Sequence, residues 1–135
     1  MRTTCVCVAV LTAGLGACGD DGAPGTITVT ATGVTGSQGK LLITEARADD
    51  GRQAAIHCLP ITSDPFSATA VLETIVGPTP CEVSSPITLD AGTYSLLTAV
   101  IMGGSMTPDL CARASVTVDG DVAVTMPALT AAGCN

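Results

Sequence analysis

Thr26-Ile27-Thr28-Val29-Thr30-Ala31-Thr32 alternates without a break, placing Ile27, Val29 and Ala31 on one side and four threonines on the other. Successive side chains of a strand point to opposite faces of a sheet, so this stretch reads as a half-buried strand with its apolar face inward. Thr, Val and Ile are stiff at χ1 and suit a pleated surface, which reinforces the assignment. The same two-residue period recurs at 40–47, 53–58, 86–89, 93–102, 110–118 and 121–126. Residues 68–76 fit two templates. Ala68, Val71, Leu72 and Ile75 have helical spacing, but the β-branched content favours a strand.

Punctuation between these runs is regular: 33–39, Asp49-Asp50-Gly51, 60–65, 77–80, Asp90-Ala91-Gly92, Gly103-Gly104 and Asp119-Gly120. Asp-Gly tolerates the positive φ of a two-residue hairpin turn. Val118-Asp119-Gly120-Asp121 is therefore expected to close a hairpin, with Leu110, Ala112, Ala114, Val116 and Val118 on one face matched by Val122, Val124 and Met126. Short strands with turns every 8 to 15 residues predict an all-β chain, a single antiparallel β-sandwich of about seven or eight short strands spanning 26–135.

Upstream of this domain the composition changes. Arg2 supplies a minimal basic start, residues 5–15 form an apolar run of 11, and Leu15-Gly16-Ala17-Cys18 leads into Gly19-Asp20-Asp21-Gly22. Eleven residues fall short of the roughly 20 that a membrane-spanning helix needs, so the run reads as a cleavable export signal. An ordinary signal-peptidase site wants a small residue where Leu15 stands. The quartet instead resembles the processing site of bacterial lipoproteins. That resemblance covers 1–18 and implies a signal peptide at 1–17, lipidation of Cys18 as the mature N-terminus, and a lipidated tether at 18–25. It further implies attachment to the cell envelope through two or three acyl chains, enough for stable anchoring where one chain holds only marginally. Gly19 directly after the cysteine favours the outer membrane, on its periplasmic or surface face, by resemblance to Gram-negative sorting.

Seven cysteines become an intelligible set once that processing is applied. Cys5 and Cys7 leave with the signal, Cys18 carries lipid, and Cys58, Cys81, Cys111 and Cys134 remain. Four cysteines in an exported domain imply two disulfides. Three pairings are open, and sequential pairing of Cys58 with Cys81 and Cys111 with Cys134 is the expectation adopted. Structural zinc draws its ligands in close C-x₂₋₄-C pairs, unlike the spacings of 23, 30 and 23 here. No metal is expected, even with His57 adjacent to Cys58.

The portion from Cys18 onward carries four basic residues, Lys40, Arg47, Arg52 and Arg113, against twelve acidic ones. Nucleic acid is excluded as a partner, because binding it requires basic side chains on phosphates and usually aromatic platforms. Phe66 and Tyr94 are the only aromatics. Residues 86–96, Pro-Ile-Thr-Leu-Asp-Ala-Gly-Thr-Tyr-Ser-Leu, resemble a step of prealbumin-like and carboxypeptidase-regulatory-like sandwiches. The resemblance implies that Gly92 makes a turn, that Tyr94 enters the core, and that the domain is a spacer or binding module.

Catalytic motifs fail individually. His57 is the single histidine available to a hydrolase triad. Ser105, in Gly103-Gly104-Ser105-Met106, lacks the second glycine of a nucleophile elbow. Gly33 to Lys40 misses the phosphate-loop spacing by one residue, Leu41 replaces the required Ser or Thr, and the stretch reads as a hairpin loop. Asp49-Asp50 and Asp119/Asp121 lack the alternating pattern of a helix-loop-helix calcium site and read as turn residues. The sequence therefore predicts no catalytic residue and no cofactor. The expected role is a non-catalytic structural or interaction module, its partners the membrane through the lipid and another envelope protein. The alternative is an exported lipoprotein that binds calcium or a small ligand.

Overall fold

A computed structural model describes residues 22–75, 83–102, 105 and 107–135. Cys18, Cys81, the signal segment and Gly103-Gly104 lie outside the described residues. Among these residues nine strands run β1 Ile27–Val34, β2 Leu41–Arg47, β3 Gln53–Pro60, β4 Phe66–Val71, β5 Glu73–Ile75, β6 Val83–Pro86, β7 Gly92–Ile101, β8 Pro108–Val118 and β9 Val122–Thr125, followed by a 3-10 turn at Ala132–Cys134. They form two sheets, a three-stranded one ordered β4-β1-β9 and a six-stranded one ordered β6-β5-β3-β2-β7-β8. The all-β sandwich-like class expected from the alternation is what the chain adopts.

The decisive heptapeptide behaves as its pattern requires. Ile27, Val29 and Ala31 are buried, while Thr28 and Thr30 are half-exposed and Thr32 is exposed on the outer face. Thr30 and Thr69 share a hydroxyl hydrogen bond of 2.8 Å across the β1–β4 pair. Strand β1 runs the length of the sandwich and feeds both halves of its core. Ile27 and Val29 pack with Leu72, Tyr94, Leu96, Val116 and Met126. Ala31 and Val34 pack with Leu42, Ile61 and Val100.

Pairing departs from the sequence reading in four places, each for a tertiary reason. Asp119-Gly120 does not close a hairpin: β8 ends the large sheet, and β9 crosses to the small one to pair in parallel with β1, Ile27 opposite Val122. The other strand pairs among the described residues are antiparallel. The stretch from Gly33 to Lys40 is likewise a crossing between sheets rather than a hairpin loop. The single strand expected at 68–76 is instead parts of two strands in different sheets, with Leu72 as the pivot, which brings the strand number among the described residues to nine. Its N–H donates to the Ile27 carbonyl at 2.9 Å and its carbonyl accepts from Ile87 at 3.3 Å, so one residue ties the two layers together. Finally, the strand expected at 86–89 lies earlier, at Val83–Pro86, and Leu89 instead bridges Gly25.

Asp50-Gly51 does make a hairpin, joining adjacent β2 and β3, with Gly51 at φ +85°. Gly92, at φ +147°, opens β7, and Tyr94 is buried two residues on. The Tyr94 hydroxyl donates to the Asp90 carbonyl at 2.8 Å, which satisfies the polar end of a ring whose body fills the core.

A hydroxyl pair sits inside the sandwich. Thr44 on β2 and Thr98 on β7 face each other in register and join through their hydroxyls at 2.8 Å, with Thr98 fully buried. Replacing one partner leaves a buried hydroxyl unsatisfied, at a cost of about 1–3 kcal/mol, whereas replacing both with isosteric valine is close to neutral. Thr44→Val should therefore destabilise by about 2 kcal/mol and Thr44→Val/Thr98→Val by less than the single variant. Urea unfolding of the four proteins of the cycle reads the coupling directly.

Candidate functional site

The acidic turn at 119–121 is a clamp on the start of the domain. The Asp119 Oδ1 accepts the Ala23 N–H at 2.9 Å, and the Asp121 Oδ1 accepts the Thr26 N–H at 2.9 Å and the Thr26 hydroxyl at 3.2 Å. The Gly120 N–H donates to the Ala23 carbonyl at 2.8 Å. A Cβ on Gly25 would run into the Gly120 backbone, so the approach demands glycine there. These carboxylates serve backbone donors that parallel pairing of β1 with β9 leaves at the strand entry. In the other acidic turn, Asp50 Oδ1 accepts the Arg52 N–H at 2.9 Å. Among the described residues no group of three His, Cys, Asp or Glu is arranged to hold a metal.

His57 sits on β3 opposite Thr44 and faces the interior. Its Nδ1 lies 2.6 Å from Glu73 Oε2 on β5, both side chains being mostly buried. The other ring nitrogen, Nε2, is buried and has no hydrogen-bond partner among the described residues. A hydrolase would require that nitrogen on a nucleophile. The ring instead lines a small cavity between the sheets with Val29, Ala31, Leu42, Thr44 and Leu72, with about 10 Å³ open to a water centre, room for a single water. Ser105 accepts the Thr107 N–H at 3.1 Å through its hydroxyl, a local turn bond. Lys40 pairs with Asp109 at 2.6 Å, which ties the Gly33 to Lys40 crossing to β8.

Cys111 and Cys134 form a disulfide. Cys58 is also disulfide-bonded, and Cys81, its partner in the sequential pairing, lies outside the described residues. The Cys111 bond pins the C-terminal segment over the free edge of β8, where Thr130 and Cys111 exchange both backbone hydrogen bonds, at 2.9 and 3.0 Å.

The structure adds a feature that the sequence reading passed over. On the face of the six-stranded sheet turned away from the small sheet, Glu45, Arg47, Ser95, Leu97 and Arg113 surround an open hollow of about 350 Å³. Glu45, Leu97 and Arg113 stand in one cross-strand row over β2, β7 and β8, and Arg47 and Ser95 in the next. Arg47 is committed, its Nε at 3.0 Å from Glu45 Oε1 and its Nη1 donating to the Gly51 carbonyl at 2.9 Å. Gln53 donates to the other Glu45 oxygen. A sequence signal for Arg113 existed. Residues two apart on a strand share a face, and Arg47 has Glu45 at that spacing whereas Arg113 has Cys111 and Ser115.

No family model, curated protein or solved structure matches the chain.

Proposed function

We propose that this chain is an exported, lipid-anchored β-sandwich serving the bacterial cell envelope as a non-catalytic structural or protein-interaction module. The observation that carries the reading is the Leu15-Gly16-Ala17-Cys18 quartet at the end of a short apolar run. Lipid on Cys18 also leaves an even set of cysteines for pairing in an oxidising compartment. The engagement of Cys58, Cys111 and Cys134 in disulfides is consistent with that compartment.

The clamp on Ala23 gives the proposal a geometric consequence. Gly19 to Gly22 separate the lipidated cysteine from Ala23, the first backbone group among the described residues that Asp119 holds, a span of at most roughly 18 Å when extended. The sandwich would stand directly on its membrane, with the 119–121 turn at the proximal end. Its partner would then be another protein of the same envelope layer.

Mass measurement of the intact protein extracted from membranes tests the anchoring. The expected product begins at Cys18 and carries two or three acyl chains, and Cys18→Ala should leave the protein unlipidated and free of the membrane fraction. A wild-type product without lipid, beginning elsewhere, would overturn the reading. Crosslinking in the native envelope then identifies the partner.

A further inference from the structure

We propose that the hollow on the outer face of the six-stranded sheet is a binding site for a small organic carboxylate, with Arg113 as its anion-binding residue. Charge pairing points there. Of the four basic residues after Cys18, Lys40 is paired with Asp109, Arg47 with Glu45 and Arg52 with Asp50. Arg113 alone has no carboxylate and no side-chain hydrogen bond among the described residues, in a portion with twelve acidic groups from which to draw one. A guanidinium presents a planar fork of donors matched to a carboxylate and is favoured at bidentate sites.

The surroundings set the ligand class. The hollow has the volume of a small-molecule site, near the lower end of the usual range. Leu97, half-buried between Glu45 and Arg113, offers an apolar floor for a short hydrocarbon body. The Ser95 hydroxyl, one row along, adds a donor. Glu45 closes the far end with a carboxylate that pairs with Arg47 and accepts from Gln53. It disfavours a second negative charge at that end, so a monocarboxylate fits better than a dianion. The ligand lies with its carboxylate on Arg113 and its apolar part over Leu97. This site stands on geometry separate from the lipid anchor and holds whether or not Cys18 is acylated.

Hexanoate is the probe, with hexanol as the uncharged control, added to the folded protein at low ionic strength while backbone amide shifts are followed by NMR. One bidentate contact in an open hollow corresponds to a dissociation constant on the order of 1 mM. Saturable shifts centred on Ser95, Leu97 and Arg113 are expected with hexanoate and not with hexanol. Arg113→Gln should weaken binding at least tenfold, and Arg113→Lys should recover part of it. Because Arg113 is exposed, the variant's amide spectrum away from the site reports whether the fold is intact. Arg52→Gln, outside the hollow, should bind as the wild type does. Equal shifts with hexanol, absence of saturable shifts, or equal loss in Arg113→Gln and Arg52→Gln would overturn the proposal.

Discussion

Removal of the Cys111–Cys134 bond should lower the melting temperature by about 10 °C. The bond closes a loop over a sequence separation of 23, and in the chain-entropy model such a loop stabilises a domain by about 3 kcal/mol. Net stabilities are only about 5–15 kcal/mol, and in a domain of this size each kcal/mol moves the midpoint by about 4 °C. The structure adds a second consequence. The strap from Met126 to Asn135 covers one edge of β8, and a Cβ on Gly133 would strike the Cys111 carbonyl, so the contact is close along the strap. Without the covalent tie the strap beyond Met126 is held by its pair of backbone hydrogen bonds to Cys111 and by Leu129, and fraying would bare unpaired N–H and C=O groups that favour edge-to-edge association. Cys111→Ala/Cys134→Ala should therefore also become sensitive to proteolysis within 127–135 and associate at high concentration. A double variant that melts with the wild type would assign the strap's hold to packing alone. Substitution is preferable to a reductant, which would also open the Cys58 disulfide.

Leu72→Ala should cost about 4 kcal/mol, comparable to or larger than loss of the disulfide. Leu72 is fully buried at the point where the chain passes from the small sheet to the large one. Leu→Ala changes in cores cost about 2–5 kcal/mol, rising with the volume the site fails to refill. Collapse is restricted here because the backbone of Leu72 is fixed on both sides, to Ile27 and to Ile87. The side chain also borders the cavity at His57, so truncation enlarges an existing space beside a ring nitrogen with no hydrogen-bond partner among the described residues. Leu72→Met, which conserves volume, should cost less than about 1.5 kcal/mol. Denaturant midpoints of the three proteins measure the series. Equal midpoints for Leu72→Ala and Leu72→Met would show that the site relaxes and that the pivot is held by its hydrogen bonds.

Legibility differed between two identical dipeptides. Asp50-Gly51 and Asp119-Gly120 carry the same turn chemistry, yet only the first closes a hairpin. The local signal specifies that the chain can turn sharply. It does not specify which sheet receives the next strand. After Gly120 that choice was made by β1, whose open edge takes β9 in parallel while Asp119 and Asp121 cap donors of Ala23 and Thr26. The two sequence separations are 96 and 95, far beyond any local pattern. Residues 68–76 show the same limit from the other side. Their composition correctly indicated extended backbone, but the change of sheet at Leu72 lies in contacts with Ile27 and Ile87. The hollow over β2, β7 and β8 was the least visible part, since its defining property is an arginine without a carboxylate partner among the described residues, and only the absence of an acid at 111 or 115 hinted at it.

The amino-acid sequence alone determined that the domain is all-β, which residues of β1 face inward, and that a short apolar run ends at Cys18. These follow from periodicity and side-chain chemistry over a few consecutive residues, which act before any long-range contact forms. Tertiary structure decided which strands pair, that β9 runs parallel to β1, that the acidic turn clamps the domain's entry, and that Arg113 stands beside Leu97 with no carboxylate partner among the described residues. Each of those depends on where two apolar faces meet and on which backbone donors and acceptors remain after they do, and many distant pairings satisfy the same alternation equally well.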